Sequence, residues 1–563
     1  MNSNGSRKRA RSARVAALEF APGRLARVWR AARQRDVLLR LALTLASVAA
    51  MAAVMQAWAP PFEYHVGFVP GRNITARDGF DIKDPRAIGM ETQKFIHFEQ
   101  GEAIVKAKQA LTEESLGVLR AEHRAFLARL SRTRMLERSV AVVALILGLF
   151  ALCGYYMYQR DRRIVADMRR FSITLLMAVV AILLARWTAA DPWRAEVIPL
   201  LLFGMTFAIA YGRELALVFS LALCVLLAMA DGHSLAELIV VVGVVAAAVV
   251  QIDRIRSRRK LIKVGFYAGL FAPVLTIGVG LFDEQPLAQP LLTAAARNGL
   301  WTFLAGFLIT GLLPFIEGIF GVLTEISLLE LGDVAHPLLQ ELVRRAPGTY
   351  NHSINVASIA EAAAESVGAR GLLVRVGAYF HDIGKMLKPH YFVENQGNEA
   401  SRHDSLVPAM STLIIIAHIK DGADLARQHH LPEPIIEFIE QHHGTTLVEY
   451  FYRRANEQSE TNPDAPQVEE SSFRYPGPKP LSIEAAVLML ADAVESASRV
   501  LVEPTPARIE SLVEDIAMKK LLDGQFDDCS LTLKQLRVIQ DSLVKSLTAM
   551  YHGRVKYPDQ RTA

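Results

Sequence analysis

The stretch Pro347-Gly348-Thr349-Tyr350-Asn351-His352-Ser353, followed by His381-Asp382-Ile383-Gly384-Lys385, decides how the chain is read. Three more short words complete the pattern: Ala417-His418-Ile419-Lys420-Asp421-Gly422, Gln441-His442-His443-Gly444-Thr445 and Leu490-Ala491-Asp492-Ala493. The segments that carry them, Tyr350–Val367, Gly371–Met386, Leu406–Asp421, Pro432–His443 and Ser482–Val500, show helical apolar periodicity. An all-α domain is expected, with five helices converging on one pocket. Imidazole nitrogens and carboxylate oxygens together suit a borderline transition metal such as iron, manganese or zinc. His352, His381, Asp382, His418, His442, His443 and Asp492 are too many ligands for one tetrahedral ion and fit two metals that share a ligand. On a helix His381 and Asp382 lie about 100° apart, which suits a two-metal cluster better than chelation of one ion. Lys385, one turn past His381, is a candidate to neutralise a phosphate, against the alternative of a solvated lysine.

The totals support a membrane protein. The 563 residues are 52% hydrophobic and only 21% charged, too apolar for an ordinary soluble chain. Cys153 and Cys224 fall in apolar runs, and Cys529 reads as a thiol in a reducing compartment, so no disulfide framework is expected. Eleven of the fifteen histidines lie at or after His336, which puts the metal chemistry in the C-terminal part. His336, His390, His429, His430 and His552 read as structural. His403-Asp404 repeats the His-Asp dipeptide, in a polar loop between Gly397 and Ser405.

Outward toward the N-terminus, residues 1–36 form a basic cytoplasmic arm. Eleven Lys or Arg in the first forty residues face only Glu19 and Asp36. The apolar run 37–58 then reads as a signal anchor rather than a cleaved leader. Topology and contact with anionic lipid explain the arm better than nucleic-acid binding, so no DNA or RNA polymer is expected as a partner. Residues 59–138 form a short extracytoplasmic segment, extended over Pro60–Arg86 and helical from about Glu91 to Arg138. Seven further apolar runs follow within 139–322, at about 139–158, 171–188, 196–211, 213–230, 234–252, 263–283 and 297–322. The loops Gln159–Arg170 and Asp253–Lys263 are rich in Arg and Lys, whereas those near Asp191–Glu196, Asp231–His233 and Asp283–Pro290 are nearly free of them. This is the positive-inside pattern, and it places residues 327–553 in the cytoplasm. Arg186, near a span end, is expected to snorkel, and Glu317 and Glu325 flank the exit of the last span. Glu457–Pro480 reads as a flexible insertion whose end, Phe473–Lys479, lies over the site. The tail Val513–Tyr551 reads as amphipathic helix that packs on the domain or, in a homodimer, on a second copy.

The ordered set of His, His-Asp, His, His-His and Asp resembles the HD-domain phosphohydrolases. Ala346–Asn355, His381–Lys388, Tyr391–Gln396, Gln441–Tyr452 and Phe473–Lys479 narrow the resemblance to the membrane-bound seven-transmembrane HD family of cyclic di-AMP phosphodiesterases. That resemblance implies a multi-pass protein of the bacterial cytoplasmic (inner) membrane that opens cyclic di-AMP to pApA. It implies two divalent ions, iron or manganese. One would be held by His352, His381, Asp382 and Asp492, the other by Asp382, His418, His442 and His443. Asp382 would bridge them, and a hydroxide between the metals would be the nucleophile. Substrate contacts fall to Tyr391, which would stack on a base or simply pack its loop, to Asn395, which would hydrogen-bond a base, and to Arg345, which would meet phosphate or face solvent. The start of the extracytoplasmic segment, Tyr64–Pro85, is also family-like but short. Two alternatives stand beside this reading: a phosphohydrolase acting on another cyclic dinucleotide or a nucleotide, and a membrane receptor that binds a nucleotide without cutting it.

Overall fold

A computed structural model describes residues 35–83, 95–253, 255, 257–396, 401–461 and 468–552. The basic arm up to residue 34, Arg254 and Arg256 of the second basic loop, and 462–467 of the expected insertion lie outside the described residues. The chain forms two compact units, one made of residues 1–253 and 258–320 and the other of residues 254–257 and 321–563.

Among the described residues the first helix of the first unit is α1 (Arg35–Val54). Two short antiparallel pairs follow. β1 (Ile74–Thr75) pairs with β4 (Ala103–Val105), and β2 (Phe80–Lys83) pairs with β3 (Phe95–Phe98). Of the helix expected from about Glu91, residues 91–94 lie outside the described residues, and among the described ones helix begins at Glu113. Phe95-Ile96-His97-Phe98 is β-branched and aromatic, and Phe98 stacks on Phe80 across the pair, which favours strand locally. α2 (Glu113–Arg129) starts at a Thr112 capping box with Ser115. It turns at Leu130 into α3 (Arg132–Arg160), which Ser131 caps.

The short α4 (Arg162–Ala166) leads to α5 (Met168–Thr188), α6 (Val197–Tyr211), α7 (Arg213–Asp231), α8 (Leu235–Val250), α9 (Arg258–Phe282) and α10 (Gln289–Phe320). Six of these apolar helices, α1, α3, α5, α7, α9 and α10, are long and apolar enough to cross a membrane. α6 and α8 are shorter, 15 and 16 residues. At 1.5 Å per residue each spans about 23 Å, less than the roughly 30 Å hydrocarbon layer. Both are nearly all apolar; α6 is largely buried by its neighbours, as expected of an interior helix, whereas α8 buries one face and leaves Leu235, Ile239 and Val250 exposed. α9 and α10 approach closely at Gly265 and Gly306, where an added Cβ would lie 2.6 Å from the facing Cα. Arg186, in the last turn of α5, is held by polar partners. Its Nε donates to Asp231 Oδ1 at 3.0 Å, and it also meets the Val54 carbonyl, so its charge is met by protein.

The second unit is helical. α11 (Glu325–Leu331) and α12 (Pro337–Arg345) are separate, with Pro337 at the first turn of α12 and His336 Nδ1 accepting from Leu338 N as its cap. α13 (Pro347–Ser366), α14 (Gly371–Phe380), α15 (Pro408–Gln428), α16 (Glu433–Gln441), α17 (Glu449–Thr461) and α18 (Ile483–Ser498) carry the site. α18 is the central helix. Ser482 caps it, and Ala485 through Asp492 are all buried, an all-round apolar pattern that only an interior helix tolerates. It packs with Val356, Ala360, Val374, Phe380, Ile435 and Ile439 of the surrounding helices. The tail is two helices, α19 (Pro506–Leu522) and α20 (Leu533–His552), rather than one. Ile509, Val513, Ile539, Leu543 and Leu547 join the same core, so the tail packs on its own domain.

Candidate metal centre

His381 and Asp382 do not lie within a helix. α14 ends at Phe380, His381 caps it, and the chain tightens into a 3-10 turn over Ile383–Leu387. The turn depends on Gly384: a Cβ there would lie 2.0 Å from the His418 carbonyl oxygen, so only glycine lets this turn press against α15. The pair is therefore presented by a bend that aims both side chains inward, not by the 100° offset of a regular helix.

Around Asp382 the predicted residues converge. His381 Nε2 lies 3.2 Å from Asp382 Oδ2, and His418 Nε2 and His442 Nε2 lie 3.4 and 3.6 Å from Oδ1. His352 Nε2 is 3.0 Å from Asp492 Oδ1 and 3.6 Å from Asp382 Oδ2, and His443 Nδ1 is 3.7 Å from Asp492 Oδ2. Three groups present donor atoms that all lie within 4.8 Å of one another: His352, His381 and Asp492; His418, His442 and His443; and His381, Asp382 and His442. All of these residues are buried except His443, the one set toward the open side.

Hydrogen bonding fixes which nitrogen each ring offers. Nδ1–H of His381 donates to Ala378 O, that of His418 to Ile415 O, and that of His442 to Ile439 O. His352 Nδ1–H donates to Glu495 Oε2 at 2.7 Å. Four rings thus turn an Nε2 lone pair inward. His418 and His442 bring two such lone pairs within 3.4 Å of each other, an arrangement that favours a cation nearby. His381 Nε2 and both Asp382 oxygens are buried and accept or donate no aligned hydrogen bond. Buried polar atoms left this way are costly unless something coordinates them. The residues present therefore fit a metal centre.

The electrostatics divide the rings: His381 holds a proton that a metal would have to displace, and His418 does not. Burial opposes charge on His381, yet Asp382 and Asp492 overcome it and raise its pKa to about 10. Burial also opposes charge on Asp382, but His381 and Lys385 hold its pKa well below the carboxylate range. Burial, Lys385 and His442 push His418 down to about 3 against the pull of Asp382, so that ring is a neutral donor. Lys385 Nζ lies 2.7 Å from Asp382 Oδ2 and donates to Glu394 Oε1 at 2.9 Å. It faces the cluster and is not a solvated lysine.

The expected substrate contacts fare differently. Asn395 Oδ1 accepts from Thr349 N and its Nδ2 donates to Thr349 Oγ1, so its amide pins the 391–396 loop to the start of α13. That docking needs Gly348, where a Cβ would lie 1.8 Å from Glu394 O. Tyr391 packs against His403, whose Nε2–H donates to Tyr391 O, and His403 is itself wedged against Phe451. Tyr391 and His403 therefore build the loop. Arg345 is half exposed and pairs with Glu341 of its own helix at 2.7 Å.

Four contributors were missed. Glu394 receives Lys385 and Thr349 Oγ1. Glu495 orients His352 and is itself held by Arg499 and Asn355. Its signal was its spacing: a carboxylate three residues after Asp492, on a helix that is apolar from Ala485 to Ala491. Tyr475 stacks on His443, ring centroids 4.4 Å apart. Backbone bonds Val448 N to Phe473 O and Tyr475 N to Thr446 O, with the Arg474–Asp523 ion pair, hold the 473–475 segment there. Lys520 of α19 feels Asp492 and Asp523, and burial lowers its pKa to about 8.

Comparison with known proteins gives the same picture. The family model described as 7TM receptor with intracellular HD hydrolase matches residues 137–324, and the HD domain model matches residues 349–497. Cyclic-di-AMP phosphodiesterase PgpH of Bacillus subtilis is 33% identical over 493 residues, covering 85% of this chain and 68% of that protein. The protein of the same name in Listeria monocytogenes is 43% identical over 320 residues, covering 56% of this chain and 43% of that protein, so the match spans less than half of that relative's length. The crystal structure of the L. monocytogenes PgpH HD domain in complex with cyclic-di-AMP is 48% identical and covers 39% of this chain and 100% of the solved one, with a TM-score of 0.37. With one third identity over most of both sequences in the Bacillus match, and with apolar helices long enough to cross a bilayer, this membrane protein belongs to the PgpH family of 7TM-type HD-domain proteins.

Proposed function

We propose that the protein is a membrane-anchored, metal-dependent phosphodiesterase that hydrolyses cyclic di-AMP to linear pApA. The carrying observation is the convergence of His418, His442 and His443 with His352, His381 and Asp492 around Asp382, whose Oδ1 is buried without a hydrogen-bond partner. The relatives' names supply the substrate. His352, His381, Asp382 and Asp492 would hold one divalent ion and Asp382, His418, His442 and His443 a second, iron or manganese. Bound there, the ions supply water activated as a nucleophile near neutral pH and neutralise charge on the phosphoryl oxygens.

The chain's own groups do the rest. Glu495 keeps the proton of His352 on Nδ1, so the inner nitrogen stays a donor to metal. Lys385 sets the charge of Asp382 and stands between the cluster and the 391–396 loop, where it can also meet a phosphate oxygen. Tyr475, stacked on the least buried histidine, fixes the orientation of the His443 ring. The reaction adds water across one P–O3′ bond: hydroxide joins phosphorus, and the leaving ribose oxygen takes a proton. The arginine-rich loops favour a cytoplasmic domain in the bacterial inner membrane.

The test uses the full-length protein in detergent, loaded with manganese or iron and incubated in parallel with cyclic di-AMP, cyclic di-GMP and a deoxynucleotide triphosphate. Release of pApA from cyclic di-AMP, and its loss in Asp382→Ala of unchanged helicity, is expected. Cleavage of another substrate instead would reassign the specificity. Retained turnover in Asp382→Ala at full metal occupancy would refute the mechanism.

A further inference from the structure

The membrane unit holds a cavity of about 1010 Å³ that hydrolysis does not use, large enough for a small organic ligand. It is bounded by residues 65–71, by the loop before α6, and by ends of α8, α9 and α10. Its lining includes four Lys or Arg and six Asp or Glu side chains together with two histidines, so it presents no field of one sign.

Part of this charge is matched internally. Arg194 donates to His65 Nε2 at 2.6 Å and to Glu237 Oε1 at 3.1 Å, and Glu237 also closes the capping box of α8 at Ser234. Two lining groups are left over. Glu196 is only 8% exposed, stands at the start of α6 without capping it, and its Oε2 has no hydrogen-bond partner. Arg297 of α10 has a buried Nε with none. The two line the same cavity within electrostatic reach of each other, yet form no ion pair. Glu196 is buried and Arg297 half-buried, and a carboxylate or a guanidinium Nε–H taken out of water is costly without a partner. One molecule carrying an ammonium and an oxyanion satisfies both, while Val240, Val244 and Leu291 offer an apolar wall.

We propose that this cavity binds a small zwitterion, with Glu196 taking a primary ammonium group and Arg297 a carboxylate or phosphate. Free amino acids and the headgroup of phosphatidylethanolamine share this chemistry. The experiment follows thermal melting of the full-length protein in nanodiscs of phosphatidylglycerol. One arm adds the common amino acids singly at millimolar concentration, and the other replaces part of the lipid with phosphatidylethanolamine. A rise of several degrees in the first arm identifies a free amino acid; a rise only in the second identifies the lipid headgroup. Glu196→Gln and Arg297→Gln should each abolish the rise. A second readout needs no variant: N-acetylation or carboxyl amidation of the active amino acid should abolish the shift in the wild-type protein, and for the lipid arm N-methylation of the headgroup amine to phosphatidylcholine should do so. No shift in either arm, or an equal shift with a singly charged derivative, overturns the proposal and leaves the hydrolytic reading untouched.

Discussion

Glu495→Gln tests whether the cluster is tuned from behind. Glu495 Oε2 accepts the His352 Nδ1 proton at 2.7 Å, with both side chains almost fully buried. Its other oxygen accepts from Arg499 Nε at 2.9 Å and from Asn355 Nδ2 at 3.2 Å. Glutamine keeps the volume but has one acceptor oxygen where two are needed. If that oxygen stays toward Arg499 and Asn355, the amide NH2 faces His352 and drives its proton to Nε2, which removes the lone pair from the cluster. If it turns to His352, Arg499 loses its carboxylate, but Arg499 is 38% exposed and water can replace that bond. The loss is thus at least one buried charge-assisted hydrogen bond, about 1.5–3 kcal/mol. This corresponds to a roughly 10- to 100-fold weaker metal affinity, the range expected when the partner of a ligating histidine is removed. The assay is manganese titration of the apo full-length protein by calorimetry, with the hydrolysis rate measured at saturating metal. Weaker metal binding with helicity unchanged is expected. An affinity within twofold of wild type would refute the view that Glu495 fixes the donor atom of His352.

Lys385→Met removes the cation shared by Asp382 and Glu394, both nearly buried, and leaves two carboxylates uncompensated. A stability loss of about 3–5 kcal/mol is expected in chelator, with partial recovery when metal is added, by denaturant unfolding. Gly384→Ala would drive a Cβ against the His418 carbonyl; the backbone on both sides leaves no room, and a loss of roughly 3 kcal/mol or more is expected, with metal binding impaired as α15 shifts. In chelator, stability should depend on pH from both sides. The His418 pKa falls from 6.5 to about 3 on folding, so below about pH 6.5 the unfolded chain gains a proton the folded one refuses, and stability is lost as pH falls toward 3. The His381 pKa rises from 6.5 to about 10, so its contribution is complete below 6.5 and is lost as pH rises toward 10. Melting temperature should peak near pH 6.5; His418→Gln should flatten the acid limb and His381→Gln the alkaline one.

What could be read from the sequence was what depends on period and order. Each membrane helix is an apolar run with polar breaks, and each cluster residue sits in a helix or just past the end of one, so the all-α architecture and the convergence of His352, His381, Asp382, His418, His442, His443 and Asp492 were legible. What failed is what depends on tertiary approach. Periodicity cannot show that α14 stops at Phe380, because the 3-10 turn that follows is fitted to α15, where Gly384 lies against the His418 carbonyl. Nor can it show that Asn395 spends both ends of its amide on Thr349, or that Tyr391 is held by His403, since both partners are distant in sequence. The same reason hid Glu394 and Tyr475, whose roles exist only because the loop at 391–396 and the segment at 473–475 fold back over the cluster. Glu495 is the instructive case. A carboxylate in a helix that is otherwise buried needs a partner, and its place three residues after Asp492 puts it on the same face, beside whatever Asp492 touches. That inference was available from spacing alone, and it points to the general rule that the residues orienting a metal ligand are found by asking which buried polar group on a ligand-bearing helix has not yet been assigned a partner.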